Sequence, residues 1–210
     1  MEYILSIIIG FLFGSFPTAY VVLKVAKGLD ITKIGSKNVG TLNSYETTKS
    51  KPIAVIVLIF DLLKGLLASL LPKILFGDYF IFAMLGLVSA VLFHCYSPWI
   101  KFKGGRGLAT AAGGSFIISI PVFIIWVVFW IVSFLFRKNI HFSNFAATVL
   151  TAAISITSGN ILNKYSQLQA ESSITFSIMV VLMMLIIVSK HIQPMKEYLL
   201  EQKQKRKVSL

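Results

Sequence analysis

Two short stretches of this sequence gather small, polar and basic side chains in close order. The first runs Gly35, Ser36, Lys37, Asn38, Val39, Gly40, Thr41, Leu42, Asn43. Glycines, a hydroxyl and side-chain amides cannot build an apolar helix, but they let successive backbone N–H groups turn toward an anion, and a phosphate suits that arrangement. The same residue types also build ordinary turns, and spacing alone leaves both readings open. The second stretch begins with His94 at the end of an apolar run and continues through Pro98, Lys101, Phe102, Lys103, Gly104, Gly105, Arg106, Gly107, Leu108, Ala109 and Thr110. Its three glycines allow close backbone approach to a ligand. Two lysines and an arginine add positive charge where the next helix starts, an end that itself favours anions. A basic flank with a flexible turn is the competing reading. The order of residues is not that of a Walker loop, since no Gly-Lys-Ser or Gly-Lys-Thr follows.

A third candidate lies inside an apolar run. Asp61 and Lys64, three apart, share a helix face and can neutralise one another, with Gly65 beside them to admit a close neighbouring helix. Ionisable groups at such depth mark functional sites by default, and a structural ion pair is the alternative. Ser143 and Asn144 read as a helix cap, and His191, after Lys190, as an interfacial histidine. No set of His, Cys and carboxylates has metal-ligand spacing, so neither a metal nor a cofactor is expected. A Gly-x-Ser-x-Gly elbow is also missing.

The elements that must position these residues are membrane helices. The chain is 56% hydrophobic and 13% charged, against about 45–50% and about 25% in soluble proteins. Apolar runs at 3–23, 53–71, 79–96, 108–136, 145–162 and 174–188 approach the length of about 20 residues that crosses a bilayer. The fourth is too long for one span and is interrupted at Ser119, Ile120 and Pro121, which predicts two helices there. The run at 3–23 is expected to be a retained first span, because Met1 and Glu2 lack the basic flank of a signal peptide and the run is too long for a signal core. The lone Cys95 gives no disulfide.

The net charge of +12 would suggest nucleic acid on a soluble domain, but here the basic residues sit between and after the apolar runs, as in cytoplasmic loops. Lysines and arginines cluster at 24–51, 101–106, 137–138 and 190–207, whereas Lys73 with Asp78 and Lys164 with Glu171 leave balanced connections. Seven transmembrane or partly re-entrant helices, amino terminus outside and carboxyl terminus cytoplasmic, satisfy every loop. The sequence therefore predicts an all-α polytopic membrane bundle over residues 1–193 and a basic cytoplasmic tail over 194–210 that touches anionic headgroups.

From about Leu12 to Asn144 the sequence resembles the bacterial acyl-phosphate:glycerol-3-phosphate acyltransferases, the PlsY-type membrane family. The resemblance is carried by Gly14-Ser15-Phe16-Pro17, by Asp30-Ile31, by Gly35-Ser36-x-Asn38-x-Gly40-x-x-Asn43, by Asp61, Lys64 and Gly65, and by His94 with the stretch from Phe102 to Thr110. It implies a bacterial inner-membrane enzyme that moves a fatty acyl group from acyl phosphate to glycerol 3-phosphate, giving lysophosphatidic acid and phosphate. By the family pattern Ser36 and Asn38 would hold one substrate phosphate and Lys103 the other, with His94 orienting the glycine loop. Gly35, Gly40, Asn43, Lys101, Gly104, Gly105, Arg106, Gly107 and Thr110 would complete the phosphate cradle, supported by Asp61, Lys64, Ser143 and His191. The acyl chain would lie between helices, the partners would be these substrates and membrane lipids, and no nucleic acid would bind.

Three positions depart from the family. Glu46 stands where an arginine usually follows the last asparagine, Thr32 where an arginine often follows Asp-Ile, and the carboxyl-terminal His, Asn, Glu set is reduced to Lys190, His191 and Gln193. A catalytically silent or altered-substrate relative, or a small anion transporter, are the readings that compete with an active acyltransferase.

Overall fold

A computed structural model describes residues 1–208. The regular elements are helices: α1 (Glu2–Ser15), α2 (Thr18–Lys27), α3 (Thr41–Thr48), α4 (Lys51–Phe76), α5 (Phe80–Cys95), a 3-10 turn (Pro98–Ile100), α6 (Leu108–Ile118), α7 (Ile120–Arg137), α8 (Ile140–Thr157), α9 (Gly159–Lys164) and α10 (Ser173–Val208). Five stretches are long and apolar enough to cross a membrane, the first being α1 and α2 together, and α5 and α6 are shorter apolar helices.

The expected first span is present, built of two helices. Pro17 has no N–H and forces Phe16 into extended backbone (φ −62, ψ 118), so α1 ends at Ser15 and α2 starts again at Thr18. The expected interruption of the fourth run is present. Ser119 is extended at φ −156, ψ 93 and accepts from the Val122 amide at 3.4 Å as the cap of α7. The backbone groups freed there find partners in the loop before α10. The Ile120 amide donates to Gln167 Oε1 at 2.8 Å, and the Leu168 amide to the Ile118 carbonyl at 3.1 Å.

Small residues set the helix spacing, because packing rather than hydrophobic burial draws helices together in lipid. A Cβ at Gly10 or Gly14 would overlap backbone of Gly86 and Ala90, so α1 lies directly on α5. A Cβ at Gly65 would overlap the Thr110 carbonyl, and one at Gly113 the Leu62 carbonyl, so α4 and α6 are equally close. Phe80, Met84, Leu87, Val91, Phe176, Met183 and Ile187 fill the seam of α5 and α10. By contrast α7 buries only Val122 and Ser133, and Ile124, Val128, Ile131 and Leu135 face outward, as lipid-facing residues do.

The bundle has two distinct ends. Tyr3, Asp78, Tyr79, Gln169 and Glu171 surround one cavity, which puts the amino terminus, the α4–α5 connection and the α9–α10 loop together. The segment at 32–38, the loop at 102–106, the start of α8 and residues 190–197 of α10 meet at another.

Candidate active site

The first polar loop is shaped by its own side chains. Asp30 Oδ1 accepts from the Thr32 amide at 3.0 Å and the Thr32 hydroxyl at 2.7 Å, and its other oxygen lies 3.4 Å from Lys33 Nζ. The Thr32 hydroxyl is the main reason that this carboxyl is held below its usual range. Asn43 is almost wholly buried on α3 and staples the loop. Its Oδ1 accepts from the Ser36 amide at 3.1 Å, while its Nδ2 donates to the carbonyls of Ile34 at 3.2 Å and Asn38 at 2.9 Å. Gly35 must be glycine here. Its φ is +55, and a Cβ would overlap Asn43 Oδ1. With Asn43 fully engaged inside the loop, Ser36, Lys37 and Asn38 are left at the surface or half-buried to face a ligand.

The second loop is folded back on itself and anchored to the break after α1. The Ser97 amide donates to the Lys103 carbonyl at 3.0 Å and the Phe102 amide to the Ser97 carbonyl at 2.8 Å, with Lys101 and Phe102 both at φ 57. The Ser97 hydroxyl donates to the Ser15 carbonyl at 2.5 Å, and Trp99 Nε1 to the Ser15 hydroxyl at 3.1 Å. The Gly105 amide donates to the His94 carbonyl at 3.0 Å, and the His94 imidazole leaves no room for a Cβ at Gly105. His94 thus sets the glycine loop by its backbone and by its ring.

The two loops are joined. The Val39 amide donates to the Gly104 carbonyl at 3.1 Å. Above this junction opens a cleft of about 640 Å³, lined by Thr32, Gly35, Ser36, Lys37, Asn38, Phe102, Lys103, Gly104, Arg106, His141, Lys190, Gln193, Pro194 and Glu197. Four of its side chains are basic, namely Lys37, Lys103, Arg106 and Lys190, against the single acidic side chain of Glu197. Such a wall concentrates an anion and steers its approach.

Of the residues that the sequence marked, the cleft brings together Gly35, Ser36, Asn38, Lys103, Gly104 and Arg106. Others lie around it. Gly40 caps α3 and accepts from the Ser44 hydroxyl at 2.9 Å, Lys101 is exposed on the turn, and Gly107, at φ +83, caps α6. Thr110 is buried in the first turn of α6, its hydroxyl without a partner among the described residues. Gly105 and His94 border, with Val39 and Lys64, a void of about 10 Å³ immediately below the junction. Asp61 and Lys64 form a buried ion pair at 2.8 Å, and His94 Nδ1 is 3.8 Å from Asp61 Oδ1. His191 is buried on α10, its Nδ1 2.8 Å from the Ile187 carbonyl and its Nε2 without a partner among the described residues. Ser143 does not cap α8, which corrects that expectation. The cap is Asn139, which accepts from the Phe142 amide at 2.9 Å, while Ser143 donates to the Asn139 carbonyl at 2.8 Å. Asn144 accepts from Trp130 Nε1 at 2.7 Å and ties α8 to α7. Among the described residues no group of His, Cys, Asp and Glu could hold a metal ion.

A family model described as glycerol-3-phosphate acyltransferase matches residues 4–201 of this chain. The chain belongs to that family. The glycerol-3-phosphate acyltransferase of Ehrlichia canis (strain Jake) is 31% identical over 187 residues, 89% of this chain and 90% of that protein. That of Helicobacter acinonychis (strain Sheeba) is 40% identical over 121 residues, 55% of this chain and 54% of that protein, so this relative is spanned over about half its length. The fold is that of PlsY, an integral membrane glycerol 3-phosphate acyltransferase. Its glycerol 3-phosphate form superposes with a TM-score of 0.78 and 26% identity, covering 96% of this chain and 94% of PlsY. The lysophosphatidic acid form of PlsY gives 0.76 and 24%. Membership of the glycerol-3-phosphate acyltransferase family and a helical membrane fold are therefore as the sequence motifs implied.

Further side chains complete the cleft. Thr32 closes the Asp30 turn from the cleft wall. Lys190 reaches in from α10, its Nζ 4.4 Å above the Tyr96 ring, while the Tyr96 hydroxyl is 2.8 Å from that of Ser189. Gln193 donates to Glu197 at 2.9 Å on the same helix. Arg106 meets His141 Nδ1 at 3.2 Å. Burial presses the Arg106 guanidinium below its usual value, and the charges of Glu197 and of Glu46 on α3 offset part of that pressure. Glu46 itself is exposed and forms no ion pair among the described residues. No motif pointed to His141 or Glu197, whereas Lys190 and Gln193 were marked in the sequence as what is left of the family's carboxyl-terminal set.

Proposed function

We propose that this protein transfers a fatty acyl group from an acyl phosphate to the 1-hydroxyl of glycerol 3-phosphate, releasing lysophosphatidic acid and inorganic phosphate. The observation that carries this reading is the Val39–Gly104 hydrogen bond, which merges two phosphate-suited loops into one cationic cleft in a chain of this family. Each substrate brings one phosphate. Ser36 and Asn38, with the loop amides around them, take one. Lys103 and the amides of the glycine loop take the other, and Arg106 adds charge to the wall. His94 orients the glycine loop from below, and the Asp61–Lys64 pair supports it.

The acyl phosphate is already activated, so the protein acts by positioning and by stabilising charge. The acceptor hydroxyl oxygen bonds to the acyl carbon and the bond from that carbon to the phosphate oxygen breaks. The departing phosphate takes the hydroxyl proton, so no protein base is required. Lys103 meets the charge that gathers on the leaving oxygen. The acyl chain lies among the apolar faces of the helices.

The cleft end faces the cytoplasm of a bacterial cell, in its inner membrane, with the amino terminus outside. Support comes from charge: the cleft end carries the lysines and arginines at 24–51, 101–106 and 137–138, whereas at the other end Lys73 is neutralised by Asp78 at 3.1 Å. Residues 1–193 form the membrane domain and 194–210 a basic cytoplasmic extension, which α10 continues as helix to Val208, with residues 209–210 outside the described part.

The test is product formation. Purified protein given radiolabelled glycerol 3-phosphate and acyl phosphate should yield lysophosphatidic acid above a Lys103→Ala control. Counts from the wild type no higher than those of a protein-free control would defeat the proposal. Phosphate uptake into proteoliposomes without acyl transfer would instead identify an anion transporter.

A further inference from the structure

We propose that His141 is a positioning residue of the cleft, whose imidazole Nδ1 holds the Arg106 guanidinium in the wall where a phosphate docks. The inference rests on the acyltransferase reading for its consequence in catalysis, but not for its effect on anion binding. A guanidinium offers only N–H donors, so at the observed 3.2 Å the Nδ1 atom must supply a lone pair, and the ring proton sits on Nε2. Among the described residues this is the only hydrogen bond that the Arg106 side chain makes. Its backbone is fixed on both sides, by Gly105 against His94 and by Gly107 at φ +83. What remains free is the aim of the long side chain, and His141 sets it.

His141 is well placed to do so. It sits in the first turn of α8, behind the Asn139 cap, so the ring is carried by a helix rather than by a loop. Both His141 and Arg106 line the cleft with Ser36 and Lys103. An arginine whose rotamers are already restricted loses less freedom when an anion arrives, and its planar fork suits a phosphate. The contact also demands a neutral ring. Protonation removes the lone pair and sets two cations against each other. The charged and titratable groups that face the ring are Arg106, Glu46 on α3, and Glu197, Glu201 and His191 on α10.

Inorganic phosphate is the probe, titrated calorimetrically into detergent-purified full-length protein, with steady-state kinetics alongside. His141→Phe keeps the bulk and loses the acceptor; His141→Asn offers Oδ1 in place of Nδ1. Loss of a hydrogen bond to a charged group predicts that H141F binds phosphate about tenfold more weakly and raises KM for glycerol 3-phosphate by a similar factor, with kcat within about twofold. H141N should recover to within about threefold of wild type. As pH falls from about 8 toward about 5, the wild type should progressively lose phosphate affinity relative to H141N, because only the imidazole changes from acceptor to donor. Unmeasurable phosphate binding by the wild type, equal binding by H141F, an H141N as weak as H141F, or parallel pH profiles would each overturn the assignment. If H141F does not fold, the H141N profile decides alone. A wild type that binds phosphate yet makes no lysophosphatidic acid would defeat the acyltransferase reading and leave His141 to be judged on binding.

Discussion

The Val39 amide and the Gly104 carbonyl, 3.1 Å apart, connect segments that lie on opposite sides of α3, α4 and α5 in the chain. Around that bond Gly105 is wedged between the His94 ring and the Val39 carbonyl, which an added Cβ would approach to 2.8 Å. Gly105→Val must therefore push the loops apart. Because misplacing reacting groups by about 1 Å can cost about a hundredfold in rate, lysophosphatidic acid formation should fall by about that factor while the helical circular dichroism is unchanged. Activity within a few fold of wild type would mean that the junction does not set the geometry of transfer.

Lys103 offers a test of charge without a test of folding. Its side chain is exposed at the cleft wall, so truncation should leave the thermal unfolding midpoint in detergent where it was. A cation that meets charge developing in the transition state is nonetheless worth about 10²–10³ in kcat. Lys103→Ala should show that loss in a radiolabel assay, and Lys103→Arg should recover part of it. An alanine variant with full kcat would assign the role to Lys190 or Arg106 instead.

Much of this arrangement was legible from residue types, and the rest was not for reasons of physics. The helix break at Ser119 could be read because proline and serine interrupt an apolar run that is too long to span once. The break at Pro17 lay inside a run of ordinary length, where nothing in the hydropathy required it. Asp61 and Lys64 announce their pairing by spacing alone, since both lie on one helix. Asn43 has a side chain equally suited to holding a ligand or a loop, and only the placement of Ile34, Ser36 and Asn38 around it shows that the loop consumes its amide. His141 and Glu197 enter the cleft from α8 and α10, far along the chain from either loop. Their contribution arises from how the helices pack, and no local pattern encodes it.

Glu46 is the side chain most out of keeping with an anion site. It is exposed on α3, and its charge acts on both Arg106 and His141. Solvent screens it, so replacing it should have a modest effect. Glu46→Arg is expected to lower the apparent KM for glycerol 3-phosphate by about three- to tenfold at low salt, with the gain shrinking as the Debye length falls to about 3 Å in 1 M salt. An unchanged or higher KM would indicate that this chain binds the acceptor away from α3, nearer Arg106 and Lys190.

The buried pair of Asp61 and Lys64 separates structural support from chemistry. The pair closes at 2.8 Å between α4 side chains that are almost fully shielded, with His94 alongside and the glycine loop directly above Lys64. Asp61→Asn leaves an ammonium buried without its partner, a change that costs about 3–5 kcal/mol in protein interiors. At 2–4 °C per kcal/mol for a chain of this size, the unfolding midpoint should drop by roughly 10 °C. Replacing both residues, Asp61→Leu with Lys64→Met, removes the uncompensated charge and should recover most of that loss. A single variant as stable as wild type would show that the ion pair contributes nothing to the fold. If the double variant is stable, its activity then decides what the pair is for. Full activity confines it to packing, whereas a stable but inactive protein would mean that Lys64, one layer beneath Gly104 and Gly105, tunes the cleft itself.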